Sequence, residues 1–228
     1  MRRLCTWIQT LAVFAIFAGC ASAPLMPLAD SDPKPDTNPP LYLMTVTVKN
    51  TYKERWQPNI LNVILTKNTE GGKSESRVFR MDSKGTIAAK TDADTTVFLV
   101  RLRVSESFNT LTGMNAMASA FPIHGFYFLP LYASLGSDGP GVYYLGSVQA
   151  TIRERKDNEF RAGPVIPLID QAVAGASSGT FDVTIVDRFD QDIELFKSTF
   201  PALNGTLVVK KILSTWDRSK AQLEWEKS

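Results

Sequence analysis

The ten residues Thr95 to Val104 place Phe98, Val100, Leu102 and Val104 on one parity and Val97, Leu99, Arg101 and Arg103 on the other. Successive side chains of a strand point to opposite faces, so this period of two describes a half-buried β-strand. The same texture recurs from Leu41 onward. Leu41–Lys49 and Asn59–Lys67 are strand-like runs, Glu70-Gly71-Gly72-Lys73 reads as a hairpin turn, and Arg77–Met81 meets a second turn at Asp82-Ser83-Lys84-Gly85 before Thr86–Lys90. After Pro140-Gly141, the run Val142–Arg155 is expected to set Val142, Tyr144, Val148 and Ile152 against Tyr143, Gln149, Thr151 and Arg153. Phe181, Val183 and Ile185 repeat the pattern, as do Leu207, Val209 and Leu213. Short strands at this spacing predict a mainly β chain, an antiparallel β-sandwich.

Two short helices interrupt the β texture. Phe189, Ile193, Phe196 and Phe200 fall at steps of four, three and four, which is one helical face. Asp187 is the expected N-cap, Asp190 follows three residues later, and Pro201 ends the helix. A second helix is expected from Asp217 through Leu223 and Trp225 into the tail 219–228. Residues 41–218 are enough for one domain with its own core.

The N-terminus has a different character. Met1-Arg2-Arg3 is followed by an apolar stretch to Gly19 that is shorter than the ~20 apolar residues a spanning helix needs, so residues 1–19 read as a signal peptide. The stretch ends in Phe17-Ala18-Gly19-Cys20, which resembles the lipobox of bacterial lipoproteins, with Phe17 where that family prefers Leu. The resemblance implies cleavage before Cys20, a lipid on its sulfur and an acyl group on its amine, and hence a membrane anchor. Ala21 directly after the cysteine, in place of the Asp that retains such proteins at the inner membrane, implies the outer membrane. The alternative is an ordinary secretory cut after Ala21-Ser22-Ala23, giving a soluble periplasmic or secreted form. Residues 20–40 hold six prolines between Pro24 and Pro40, the composition of an extended, solvated spacer reaching roughly 60 Å at ~3.1 Å per residue. Pro140-Gly141-Val142-Tyr143-Tyr144 also resembles a strand start in uncharacterised β-sandwich lipoproteins, which implies the fold class and no activity.

Charge narrows the partners. The formal net charge is +2, from 25 basic and 23 acidic residues, and Arg2 and Arg3 account for the whole excess. The chain from Cys20 onward is therefore formally neutral and without a polybasic tract, so no nucleic-acid partner is expected. Cys5 leaves with the signal, and two cysteines build neither a disulfide scaffold nor a four-Cys zinc site.

Candidate chemistry is sparse, and neither catalytic residues nor a cofactor or metal is expected. His124 is the single imidazole, and Ser119 and Ser134 are the nearest hydroxyl candidates for a nucleophile. Asp187, Asp190, Asp192 and Glu194 form the densest acidic cluster, but no glycine completes a calcium loop, and a helix start accounts for Asp187 and Asp190. Gly136–Gly141 lacks the Lys-Ser/Thr of a phosphate loop and reads as a tight turn. The most unusual segment is Ser107–Ser137, thirty-one residues without a charge, broken by Pro122 and Pro130. It reads either as core or as an apolar surface for a ligand or an envelope protein partner, with Phe121, His124, Phe126, Phe128 and Tyr132 as the candidate contact residues. Gly163–Thr180, with Asp170 its one charge, is expected to line the same cavity. The expected function is a non-enzymatic binding or assembly component of the envelope, or a carrier of an apolar ligand, with a His- or carboxylate-dependent hydrolase as the third class.

Overall fold

A computed structural model describes residues 23–28, 34–68, 74–88, 96–105, 107–136, 139–166 and 171–227. The signal 1–19, Cys20, and the expected turn at 70–73 lie outside the described residues. Among the described residues ten strands run in chain order: β1 Leu41–Asn50, β2 Asn59–Asn68, β3 Ser74–Arg80, β4 Thr86–Ala88, β5 Thr96–Arg103, β6 Thr110–Ala120, β7 Ile123–Ser134, β8 Val142–Glu154, β9 Gly179–Val186 and β10 Val208–Lys210. The helices are α1 Phe189–Thr199 and α2 Arg218–Glu226, with a short 3₁₀ turn at Pro201–Leu203.

The strands form a two-sheet sandwich. One sheet has the order β3-β2-β6-β7; the other has β10-β8-β1-β5-β4, with β9 also pairing with β8. Most ladders are antiparallel, but β1 and β10 both run parallel to β8. Turn 82–85 leads from β3 in one sheet to β4 in the other, so it is a crossover and not a hairpin.

The period-two pattern explains the layers. Tyr42, Met44, Val46 and Val48 of β1 and Phe98, Val100 and Leu102 of β5 fill the space between the sheets. Leu41, Leu43 and Leu99 point the other way and do not meet water. They pack under Ile193, Phe196 and Phe200, so α1 covers the outside of this sheet as a third layer. The helical face expected from sequence is thus the buried one, with Phe189 packed against its edge. Asp187 Oδ1 accepts the Phe189 N–H at 3.0 Å, but the N-cap position falls on Arg188, one residue later than expected. In α2, Asp217 Oδ1 accepts from Ser219 and Lys220, and buried Ala221 joins the main core. The expected domain boundary at 218 therefore falls at the first residue of a packed helix.

Two expectations about faces are corrected. In β8, Tyr143 and Leu145 face the main core, and Val142 and Tyr144 face α1; beyond Ser147, Val148 and Ile152 face the core again. The cause is a bulge: Leu43 pairs with Tyr144 but Thr45 pairs with Ser147, and Gly146 sits at φ 109° inside the extra step. One added residue reverses the parity of a strand. In β10 the inward residue is Val208, while Leu207 and Val209 are exposed.

The spacer expected at 20–40 is also revised. Leu25 forms a parallel bridge with Arg80, the Arg80 N–H donates to the Pro24 carbonyl at 3.0 Å, and Met26 N–H donates to the Arg80 carbonyl. Met26 enters the core between the sheets and Leu28 the core under α1. Pro24 and Pro27 are tolerated because an edge segment has N–H groups the ladder does not need. Arg101 locks the segment. Its fully buried guanidinium donates to Asp82, to the Leu99 carbonyl at 2.9 Å and to the Pro27 carbonyl at 2.8 Å, and it stacks 4.1 Å from the Phe200 ring.

A candidate groove on the outer sheet face

The uncharged segment becomes the β6–β7 hairpin, and alternation divides it between core and surface. Tyr127, Leu129, Leu131 and Ala133 of β7 enter the core. His124, Phe126, Phe128 and Tyr132 lie on the opposite parity, and Phe121 stands 91% exposed at the hairpin tip. Tyr132 sits at φ 47°, in the left-handed region that a bulky residue rarely adopts, where the β6–β7 register is irregular.

Phe126, 39% exposed, and half-buried Phe128 form the floor of a groove of about 530 Å³. Gly113 makes room for the Phe128 ring, since a Cβ there would stand 2.7 Å from its Cζ. Asn62 and Asn115 lie beside the rings, with Asn115 Nδ2 donating to Asn62 Oδ1 at 3.0 Å. Leu61 joins them because a bulge between Ile60 and Asn62 adds a residue to β2. The wall is Arg161, Gly163 and Pro164, fixed to the edge of β7 by the Phe128 N–H donating to the Ala162 carbonyl at 2.8 Å. Trp225 of α2 closes one side, and a smaller pocket of about 160 Å³ beyond it reaches Pro130, Tyr132 and Phe160. Gly163 and Pro164 thus bring the second charge-poor stretch to the groove.

The β7 edge is capped by one amide. Gln171 Oε1 accepts the Phe126 N–H at 2.9 Å, and its Nε2 donates to the His124 carbonyl at 3.0 Å, so a buried side chain takes the place of a neighbouring strand. Trp216 Nε1 donates to the Pro130 carbonyl, and Lys220 Nζ to that of Tyr132. Of the contact residues expected from sequence, Phe126, Phe128 and Tyr132 are brought to one continuous surface; Phe121 and the exposed His124 ring lie outside its lining. Leu61, Asn62, Asn115, Arg161 and Trp225 had no local sequence signal, because strand pairing and a bulge bring them there.

The groove is chemically an apolar slot with few polar groups: two paired amides and the Arg161 guanidinium, whose Nη1 donates to the Ser177 carbonyl at 2.5 Å. Such a lining suits an amphiphile or an aromatic group.

The other candidate chemistry is dispersed. His124 and Ser119 are direct cross-strand partners at the hairpin tip, yet among the described residues no side-chain hydrogen bond joins them. The acidic cluster splits: Asp187 pairs with Lys210 at 2.7 Å, Asp190 and Glu194 are exposed, and Asp192 is buried beneath α1. The Asp187 carboxyl is held below its ordinary range by Lys210 and by the Phe189 N–H. Among the described residues no group of three or more His, Cys, Asp or Glu side chains is placed to hold a metal ion. No helix among them is long and apolar enough to cross a membrane.

No protein-family model, curated protein or solved structure matches the chain.

Proposed function

We propose that this chain is a lipid-anchored component of the bacterial outer membrane, facing the periplasm from Cys20, and that its β domain binds an apolar ligand and carries out no catalysis. The groove supports the binding reading: its volume of about 530 Å³ lies within the roughly 300–1,000 Å³ of small-molecule sites, and its lining is apolar with a few convergent polar groups. Two of the acids that would serve a hydrolase are engaged otherwise. Asp187 and Asp192 accept hydrogen bonds from fixed protein partners.

Two experiments test the two halves. Cys20→Ala, or globomycin treatment, is expected to block processing and release the protein from the membrane fraction; unchanged processing and fractionation would remove the anchor. Mass spectrometry of the purified chain in mild detergent is expected to find a co-purifying apolar ligand that Phe128→Asp abolishes. An equal yield from both proteins would remove the groove as the site. Docking of an envelope protein is the second reading, and the exposure of Phe121 at the hairpin tip favours it.

A further inference from the structure

The pairing row across the four-stranded sheet continues past its edge strand. Leu25 bridges Arg80, Arg80 pairs with Asn62, Asn62 with Asn115, and Asn115 with Phe128. At ~4.8 Å between neighbours, five segments span about 19 Å from the N-terminal segment to the groove. Directly paired residues share a face, so all five stand on the outer side of the sheet. Leu25 is 57% exposed and Leu61 is 40% exposed on this side.

The chain is held immediately before this row. Ala23 accepts through its carbonyl from Arg80 Nε at 3.0 Å, and only Ala21 and Ser22 separate it from Cys20. Three residues of extended chain reach at most about 11 Å. A lipid on Cys20 therefore keeps the Leu25 end of the row at the headgroups, where the 60 Å leash expected from the prolines would have let the domain turn freely.

We infer that the outer face of the β3-β2-β6-β7 sheet is the surface that rests on the bilayer, so that its groove opens onto phospholipid. This rests on the lipid anchor at Cys20. Leu25, Leu61 and Phe126 enter the boundary between headgroups and acyl chains, and Arg80 and Arg161 lie at the level of the lipid phosphates. The opposite side of the molecule, carrying α1 with exposed Glu194, faces away.

The test uses the full chain, processed in bacterial membranes and reconstituted into vesicles of phosphatidylethanolamine and phosphatidylglycerol. Cys5 leaves with the signal and Cys20 is acylated, so Leu61→Cys, Leu25→Cys and Glu194→Cys each offer one thiol for an environment-sensitive fluorophore. Lipids carrying a nitroxide near the headgroup are expected to quench the labels at positions 61 and 25 several-fold more than the label at 194. Equal quenching at the three positions, or stronger quenching at 194, in protein that floats with the vesicles overturns the orientation and leaves the anchor standing. A parent chain that does not float, and whose Cys20 takes up the label, overturns the anchor and the orientation with it.

Discussion

Tyr144 donates its hydroxyl to the Asp192 carboxylate at 2.5 Å, fastening the outer face of β8 to the first turn of α1. Thr45 donates to the same oxygen at 2.6 Å from β1, so one buried acid ties the helix to two neighbouring strands. Removing one donor leaves a buried carboxylate short of a partner. Tyr144→Phe is expected to cost about 1–3 kcal/mol in urea unfolding. Burial first, and the carboxylate second, raise the Tyr144 hydroxyl above the ordinary tyrosine value. The folded state then keeps a proton that the unfolded chain releases, so this contribution is full below about pH 10 and is lost as pH rises further. Unfolding midpoints from pH 8 to 11 should fall less steeply in Tyr144→Phe.

A second network joins β8, β9, the loop after β8 and α2. Arg153 donates to Glu159 at 2.6 and 2.8 Å and to Asp182 at 2.8 Å, and Arg218 reaches both acids at 2.9 Å. The hydrogen bonds from Arg153 hold the Glu159 carboxyl down to about 2. A depressed carboxyl stabilises the fold above its unfolded value and loses that contribution as pH falls through the window from about 4.5 to 2. Because the network keeps solvent contact, Glu159→Gln is expected to cost about 1 kcal/mol at pH 7. Acid unfolding followed by circular dichroism should show the gap between the two proteins close below pH 3.

Arg101 carries more. Truncating a fully buried guanidinium with three acceptors leaves two bare carbonyls and takes the ion pair from Asp82, which keeps the Gly85 N–H as a donor. Arg101→Ala is expected to cost about 3–5 kcal/mol, and limited proteolysis should cut first within 23–28. Arg101→Lys should recover only part, because an ammonium cannot copy the planar fork.

Gly146 sets the faces of β8. At φ 109°, with a Cβ position 3.1 Å from Ile185 Cγ2, it has little room for a side chain. Gly146→Ala is expected to destabilise by more than about 1 kcal/mol. Val148→Ala serves as an ordinary core truncation for comparison in thermal unfolding.

These particular residues show what a single sequence reveals. β5 and α1 were legible as elements because their periodicity is local and unbroken, but β5, read as half-buried, is buried on both faces, since α1 covers Leu99 and Arg101 is buried beside it. β8 was read on the wrong parity over Val142–Tyr144 because a bulge is one residue in a partner's register; its trace is a glycine inside a strand run. The N-terminal segment looked like a spacer because proline composition speaks for the backbone alone, while Met26 and Leu28 supply the burial. Asp192 pairs with Thr45 across 147 positions and Arg101 with Pro27 across 74, and no local pattern announces such partners. In the groove, the uncharged run Ser107–Ser137 exposed the aromatic floor to sequence reasoning, but the polar side and the Trp225 wall arise from strand pairing and helix docking.

The segment from Pro24 to Leu28 also decides how the molecule responds to tension. A load applied at the N-terminus enters through Ala23 and meets first the hydrogen bonds to the side chain and backbone of Arg80, then the Pro27 carbonyl held by Arg101 and the side chains of Met26 and Leu28, and only afterwards the long ladder of β1. With two backbone hydrogen bonds against the long ladders of β1, this stretch is expected to yield before the sandwich does. Its release lengthens the chain as far as Thr37, whose carbonyl accepts the Gly141 N–H at 3.0 Å, and fourteen extended residues reach roughly 46 Å. Pull at the N-terminus is thus expected to lengthen the chain by several nanometres before the ladders of β1 carry the load.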